Sequence, residues 1–182
     1  MLTQVQTLVS LGVLSTDQGQ YQGLPDFDLS NALMNYYDLS LTGQEASDFV
    51  VRADASWESA SQSANWWNSG CGFVFRMNAQ GDHYFALIGM DGWLYLYRNQ
   101  DHNLTLIGRG QYGKESTSTG EANVTLAAEG NHISMLIDNQ LVLSLKDSTF
   151  STGLFGYALA SGTNKDFGTR CQMKNAGLWI IK

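Results

Sequence analysis

Alternation of apolar and polar residues is the feature of this sequence that most restricts its fold. Beyond residue 49, five runs alternate with a period of two, which predicts β-strands that turn one face toward a core. These runs cover residues 49–57, 72–76, 84–97, 133–145 and 154–159. Weaker strands are expected at 104–108, 124–128 and 171–181, and a polar loop at 110–120. The pattern indicates an all-β fold in which two antiparallel sheets stack as a sandwich.

The run from Tyr84 to Tyr97 is expected to form the central hairpin. Its two arms meet at Asp91-Gly92, a pair that tolerates the positive φ of a tight turn. Apolar residues occupy both faces of these strands, since Phe85 opposes Tyr84. A simple sandwich has one dry face per sheet. The second apolar face therefore indicates a concave ligand surface, a covering segment or a neighbouring subunit.

Residues 1–23 are expected to form an apolar N-terminal extension and linker ahead of a sandwich domain at 24–182. The extension fits a helix with one apolar stripe, or a strand with one apolar face. The apolar face of that strand would consist of Val5, Val9, Leu11 and Val13. Residues 16–23 predict a loop. Residues 24–48 predict the first one or two strands, or a cover over one sheet edge.

Charge and composition restrict the partners. The 182 residues suit a single domain, and the net charge is −7. The first 51 residues contain six acids and no Lys or Arg, so nucleic acid is not an expected partner. No apolar stretch approaches the ~20 residues that a membrane-spanning helix needs. Uncharged polar residues are abundant and only 15% of residues are charged, which is typical of secreted proteins.

The two cysteines, Cys71 and Cys171, each lie at the edge of a predicted strand. Two buried free thiols are the simpler alternative. We favour a disulfide that joins the last strand to an early one, and such a bond predicts an extracellular or cell-surface location. No His or Cys lies near either thiol at the spacing of a metal site.

Several short segments follow one another in a characteristic order. They are Ser-Gly-Cys-Gly-Phe-Val-Phe-Arg at 69–76, His-Tyr-Phe-Ala-Leu at 83–87, Asp-Gly-Trp-Leu-Tyr-Leu at 91–96, the run at 130–142, Gly-Leu-Phe-Gly-Tyr at 153–157 and Met-Lys-Asn at 173–175. In this order the chain resembles bacterial laminin-G-like, concanavalin A-like jelly-roll domains over about residues 48–182. Within that group it is similar to family-16-glucanase-like and keto-disaccharide-hydrolase-like modules. The resemblance implies a two-sheet antiparallel jelly-roll sandwich.

The resemblance also implies where catalysis would be found. Retaining glucanases of this fold carry a Glu-x-Asp-x-x-Glu strand motif, which sets two carboxyl groups about 5 Å apart. No glutamate here has that spacing, and Glu115 and Glu121 flank the polar loop. His83, His102 and His132 form no evident nucleophile–base pair. We therefore expect no enzymatic activity, and a glycosidase is the less favoured alternative.

Calcium is retained as a candidate cofactor, although none is required. Jelly-roll domains of this kind often carry one ion on loop oxygens. Asp26 and Asp28 share a strand face at i and i+2, and Asp166 is a further candidate ligand. Solvated turn acids are the simpler interpretation of all three.

A pair of adjacent tryptophans marks the best candidate binding site. Both do not easily enter one core, and an indole face stacks well on a sugar ring while flanking amides read its hydroxyls. The candidate surface consists of Asn65, Trp66, Trp67 and Asn68, with Trp57, Tyr112 and Trp93 as extensions. The alternative is that one tryptophan caps the sandwich and the other plugs a loop.

Two functions from different classes follow from these features. The first is a secreted, non-catalytic β-sandwich module for recognition or surface structure, which contacts a glycan or another extracellular polymer. The second is a self-assembling filament subunit, in which the strand at residues 1–15 is donated to a sheet edge of the next copy.

Overall fold

The computed structural model describes residues 1–113 and 115–182, and most of these residues lie in strands. The described part of the chain contains one α-helix, α1 (Leu2–Ser10), and a short 3₁₀ turn, Trp66–Asn68. The strands are β1 (Gly19–Gly23), β2 (Phe27–Asn31), β3 (Tyr37–Ala46), β4 (Phe49–Ser59), β5 (Gly70–Met77), β6 (His83–Gly89), β7 (Trp93–Gln100), β8 (Asn103–Gln111), β9 (Thr119–Glu129), β10 (His132–Ile137), β11 (Gln140–Lys146), β12 (Gly153–Ala160) and β13 (Thr169–Ile181).

Two antiparallel sheets form a sandwich, which confirms the expected jelly-roll fold. The first sheet has the order β1-β13-β4-β9-β10-β11, and the second has the order β3-β12-β5-β6-β7-β8. The long strand β13 is flanked end to end by two short strands, since β2 pairs with its residues 169–173 and β1 with its residues 177–181. In these two strand orders, some strands that are consecutive in the sequence, such as β4 and β5, lie in opposite sheets.

The predicted hairpin is present, with β6 paired to β7 around Asp91-Gly92. Gly92 has a φ of 81°, as a tight turn requires. A second hairpin joins β10 to β11 through Asp138-Asn139, whose φ angles are 50° and 66°. Asp and Asn tolerate this left-handed region better than most residues do.

Aromatic rings fill much of the space between the sheets. The rings of Phe73 and Phe155 lie 5.6 Å apart, and those of Phe75 and Tyr84 lie 5.1 Å apart. The buried hydroxyl of Tyr84 donates to Asp147 at 2.5 Å. Because buried polar groups are costly without a partner, this bond makes a tyrosine acceptable in the core.

A disulfide between Cys71 of β5 and Cys171 of β13 joins the two sheets. Their Cα atoms lie 5.3 Å apart, and both residues are fully buried among the core residues. The bond closes a separation of 100 residues, which in the chain-entropy model stabilises the fold by about 4–5 kcal/mol. The disulfide interpretation of the two cysteines is thus confirmed.

Helix α1 lies on the outer face of the first sheet. Its buried residues Val5 and Leu8 pack with Val50, Ala127 and Leu136 of the sheet. The following loop is fixed by Ser15, whose backbone nitrogen and hydroxyl donate to the Glu129 carboxylate at 2.9 and 2.6 Å. No helix in the described residues is both long and apolar enough to cross a membrane.

The helix confirms one of the two interpretations of the extension and contradicts the other, an N-terminal strand. A strand would place Val5, Val9, Leu11 and Val13 on one face, whereas the helix places them differently. Val5 is buried, Val9 and Val13 are half-buried, and Leu11 is exposed. The apolar residues of the extension pack on their own chain, because the 3.6-residue period joins Val5, Leu8 and Val9 into one stripe.

The loop expected at residues 16–23 is also corrected, since residues 19–23 form the edge strand β1. Its sequence, Gly-Gln-Tyr-Gln-Gly, shows little apolar alternation. Pairing with residues 177–181 of β13 satisfies its backbone instead. The region 24–48 contains two strands, β2 and β3, as one of its interpretations predicted.

Replacing Cys71 and Cys171 together with alanine removes the only disulfide in the described chain, which cross-links the two sheets. We expect the free energy of unfolding to fall by about 2–5 kcal/mol, because the unfolded chain gains freedom. Urea denaturation followed by tryptophan fluorescence measures this change. A reductant should lower the midpoint of the unchanged protein and leave that of the variant where it is. Identical midpoints for the oxidised, reduced and variant proteins would contradict the prediction.

Candidate functional site

A groove of about 640 Å³ lies on the outer face of the second sheet, opposite the core between the sheets. Strands β3, β5, β6, β7 and β8 contribute to it, together with the 3₁₀ turn. We call it the aromatic groove. It is lined by Asn35, Tyr36, Tyr37, Leu39, Trp67, Asn68, Met77, Gly81, His83, Phe85, Tyr97, Asn99, His102 and Leu104.

The floor of the groove is part of a second apolar cluster, separate from the core. Strand alternation places Phe85 on this face, while its neighbour Tyr84 faces the core. The buried members are Val74, Met77, Phe85, Leu87, Tyr95, Ala158 and Ala160. A Cβ atom on Gly72 would lie 2.7 Å from the Phe85 ring, so a glycine is needed where the ring lies across β5.

Four aromatic rings form a row along the floor. The Tyr37 and Phe85 rings are stacked with centroids 4.4 Å apart, and Phe85 and Tyr97 follow at 5.8 Å. Tyr97 and Tyr95 continue the row at 6.1 Å. Aromatic pairs at such distances contribute about 0.5–1.5 kcal/mol beyond their buried area. The row therefore gives the groove a rigid apolar base.

A relay of hydrogen bonds fixes the polar side of the groove. Asn99 Nδ2 donates to the Tyr37 hydroxyl at 2.9 Å, and that hydroxyl lies 2.9 Å from His83 Nε2. His83 Nδ1 lies 2.7 Å from the Gly81 carbonyl oxygen. A carbonyl only accepts, so Nδ1 carries the proton and the Tyr37 hydroxyl donates to Nε2. The relay sets both the tautomer of His83 and the position of Tyr37.

Burial keeps both titrating groups of the relay neutral. It lowers the pKa of His83 below its ordinary value near 6.5, because the imidazolium would be desolvated. Burial likewise raises the pKa of Tyr37, against the lowering effect of the Asn99 hydrogen bond. At neutral pH the relay thus consists of a neutral imidazole and a protonated phenol.

Exposed rings stand at the rim of the groove. Trp67, in the 3₁₀ turn, is 50% exposed, and Tyr36, just before β3, is 64% exposed. The amide side chains of Asn35 and Asn68 lie next to them in the lining. Large flat rings beside neutral amides provide both a stacking surface and hydrogen-bonding groups for a ligand.

The predicted tryptophan pair is split by the 3₁₀ turn. Trp67 and Asn68 line the groove, whereas Trp66 packs against the core between the sheets. Asn65 is absent from the lining, and its backbone carbonyl accepts a bond from Ser69 Oγ at 3.0 Å. Trp66 therefore packs on the core, whereas Trp67 is half exposed at the groove.

Three further predicted residues lie away from the groove. Trp57 is buried in the core, and Tyr112 packs against the core with its hydroxyl bonded to the Gly89 carbonyl at 2.7 Å. Trp93 packs against the second apolar cluster but outside the groove lining, and the Arg109 guanidinium lies 5.0 Å above its ring. Trp57 is buried because its side chain lies on the core-facing side of strand β4.

Several residues of the groove were not singled out in the sequence. They are Tyr36, Tyr37, Tyr97, Asn99 and Asn35. A signal for part of this set was present, because the hairpin 84–97 is apolar on both faces. Of the three explanations for that feature, a concave surface matches the observed geometry.

The residues present do not fit the candidate calcium site. Both carboxylate oxygens of Asp28 accept bonds from Arg170, at 2.8 and 2.7 Å, and Gln172 adds a third at 2.8 Å. These bonds lower the pKa of Asp28 to about 2. No group of three or more His, Cys, Asp or Glu side chains with Asp26 or Asp166 is found among the described residues.

A second depression, of about 450 Å³, lies on the first sheet and has a different character. We call it the charged pocket; it is lined by Ser56, Trp57, Glu58, Thr119, Gly120, Glu121, Arg170 and Gln172. The Arg170 guanidinium is shared between Asp28 at 2.7 Å and Glu58 at 3.5 Å. Arg170 and Glu58 are thus already paired, and the pocket lacks the exposed aromatic rings of the aromatic groove, which is the better candidate site.

Comparison with known proteins relates this geometry to a fold. No known sequence family matches the chain. No curated protein matches it in sequence. Among solved structures, the carbohydrate-binding module CBM66 from Bacillus subtilis has a TM-score of 0.65 at 15% identity and covers 86% of this chain and 92% of that one.

Two other similar structures extend the comparison. The exoplasmic/lumenal domain of VIP36, in a Ca²⁺/Man-bound form, has a TM-score of 0.60 at 10% identity and covers 90% of this chain and 82% of that one. The Bacillus licheniformis β-glucanase has a TM-score of 0.55 at 10% identity, with coverages of 86% and 78%. At these identities the similarity establishes the fold, which is a concanavalin A/galectin-like jelly roll.

The buried, neutral His83 should make stability depend on pH. Its folded-state pKa lies below the unfolded value near 6.5, so the unfolded state binds the proton more tightly. The free energy of unfolding is therefore highest above about pH 6.5, decreases as the pH falls through this window, and levels off below the folded-state pKa. Urea titrations from about pH 7 to about pH 5 should show a weaker pH dependence in His83→Gln than in the unchanged protein. Parallel pH profiles would contradict the prediction.

Proposed function

We propose that this protein is a non-catalytic, glycan-binding β-sandwich module and that the aromatic groove is its binding site. The observation that carries the proposal is the exposed pair Trp67 and Tyr36 beside a rigid aromatic floor with fixed amide and imidazole groups. The carbohydrate-binding module and the Man-bound domain among the similar structures support it.

The chemistry of the groove suits a sugar chain. The C–H face of a pyranose ring packs on an indole or phenol ring, while its hydroxyls need donors and acceptors around its edge. Trp67 and Tyr36 provide the rings, and Asn35 and Asn68 provide the amides. A volume of about 640 Å³ lies within the range of small-molecule sites and suits a short oligosaccharide stretch.

The absence of carboxylates from the lining favours binding over hydrolysis. Glycoside hydrolysis usually requires two Asp or Glu side chains on either side of the bond that is cleaved. None of the described residues that line the aromatic groove is an Asp or a Glu. We therefore propose a non-enzymatic module in the family-16-glucanase-like branch, whose fold the β-glucanase shares.

A secreted location is part of the proposal. The disulfide between Cys71 and Cys171 supports it, because structural disulfides persist in oxidising compartments and are rare in the cytosol. A glycan partner at the cell surface or in the extracellular matrix is consistent with that location.

A second candidate function is self-association through the same sheet face. Six of the thirteen large apolar side chains exposed in the described chain line the groove or share strand faces with its lining. They are Tyr36, Leu39, Leu41, Trp67, Leu104 and Leu106. Exposed apolar surface of this extent also suits a contact between copies.

The Trp67→Ala substitution tests the proposed site. We expect it to weaken glycan binding about tenfold or more, about 1.4 kcal/mol, because the substitution removes a stacking indole and tryptophan is enriched among binding hot spots. An array of plant, fungal and bacterial polysaccharides first identifies a ligand, and isothermal titration calorimetry then measures affinity. Glu58→Gln, in the charged pocket, is the matched control and should bind as the unchanged protein does.

Three results decide between the candidates. Loss of binding in Glu58→Gln but not in Trp67→Ala would move the site to the charged pocket. No binding to any polysaccharide on the array would remove the glycan proposal. A concentration-dependent dimer in sedimentation velocity that Leu106→Asp dissociates would favour self-association instead.

A further inference from the structure

The lining of the aromatic groove contains no fixed charge. Its fourteen residues include no Asp, Glu, Lys or Arg among those that the structure describes. The charged pocket, of comparable size, has Glu58, Glu121 and Arg170 in its lining. The neutrality of the groove is therefore a local property and does not simply reflect the low charge content of the chain.

Two aspartates lie beside lining residues at one end of the groove. Asp82 lies between the lining residues Gly81 and His83, and Asp101 precedes the lining residue His102. The Asp82 carboxylate accepts a bond from the Asp101 backbone nitrogen at 2.8 Å, which holds the two segments together. The chain as a whole has a net charge of −7. These carboxylates and the negative net charge disfavour the approach of an anion. None of the described lining residues is a lysine or an arginine that would offset them.

We infer that the aromatic groove selects neutral glycans and excludes glycans that carry carboxylate or sulfate groups along the bound stretch. The inference rests on the proposed function and names the ligand class of the same site. A carboxylate that enters the groove would lose water without gaining a cationic partner, which is costly. A hydroxyl loses less and finds amide partners in Asn35 and Asn68.

The imidazole of His83 does not provide the missing cation. Its Nε2 accepts from the Tyr37 hydroxyl at 2.9 Å, and its Nδ1 is bonded to the Gly81 carbonyl. The ring is 2% exposed, and burial lowers its pKa. An anionic sugar would therefore find both nitrogens already engaged.

Matched glycan pairs test the selectivity. Oligosaccharides of β-1,4-glucan, β-1,3-glucan and mannan are compared with their C6-carboxylated counterparts, in which a carboxylate replaces the hydroxymethyl group. Titrations at about pH 8 stay well above the ordinary histidine pKa near 6.5. For whichever backbone binds, we expect the carboxylated form to bind at least tenfold more weakly at low salt. The difference should narrow in about 1 M salt, where the Debye length is about 3 Å.

A charge introduced into the lining should change the selectivity. Leu104 lines the groove and is 45% exposed, so Leu104→Lys places an ammonium group beside the ligand. We expect it to raise the affinity ratio of carboxylated to neutral glycan several-fold. Leu141, on β11 of the first sheet, is 52% exposed and absent from the lining. Leu141→Lys adds the same charge elsewhere and should leave the ratio unchanged.

The outcomes separate this inference from the proposed function. Binding of carboxylated glycans as tightly as neutral ones, with loss in Trp67→Ala, would overturn the selectivity and leave the glycan site in place. Equal changes of the ratio in Leu104→Lys and Leu141→Lys would show that the overall charge matters rather than the lining, which also overturns it. No binding of either glycan class would remove the proposed function and this inference with it.

Discussion

The position of Tyr37 determines the shape of the aromatic groove. It belongs to the edge strand β3, yet its side chain reaches past β12 and β5 to contact β6 and β7. Its ring stacks on Phe85, and its hydroxyl is held between Asn99 and His83. Each such hydrogen bond contributes about 0.5–1.5 kcal/mol net. Because these contacts fix Tyr37, they also hold its neighbour Tyr36 at the rim.

The outer faces of the two sheets are covered in different ways. On the first sheet, Val5 and Leu8 of α1 cover the apolar part of the outer face. Another part of that face carries ion pairs of Arg170. The second sheet has no such cover in the described chain, and its outer face is closed by its own aromatic rings. Its apolar surface is partly open as a result, and this opening is the groove.

Local patterns in the sequence were sufficient for the fold. Alternation identified the strands, Asp91-Gly92 identified the central turn, and two cysteines at strand edges indicated the disulfide. Strand β1 escaped prediction because an edge strand is held by backbone pairing and needs no apolar alternation. The apolar residues of the extension at 1–15 fitted both the 3.6-residue period of a helix and the two-residue period of a strand. Its structure therefore depends on packing against the sheet surface that it covers.

The groove could be predicted only in part. Adjacent Trp66 and Trp67 point to different environments because of a three-residue 3₁₀ turn, and the sequence does not indicate which of them is exposed. The contacts of Tyr37 with His83 and Asn99 depend on strand order, which pairs β3 with β12 more than a hundred residues away. Such contacts depend on the order of strands in the sheet, and the spacing of residues in the sequence does not predict them.

The placement of α1 has a consequence for how strongly one chain can hold a polymer. With the helix over one sheet and the groove on the other, the two broad surfaces of the sandwich are not equivalent. The proposed attachment is therefore monovalent. Long residence on an insoluble matrix would have to come from avidity, through repeated or tethered copies whose linkage raises the effective concentration at each neighbouring sugar stretch.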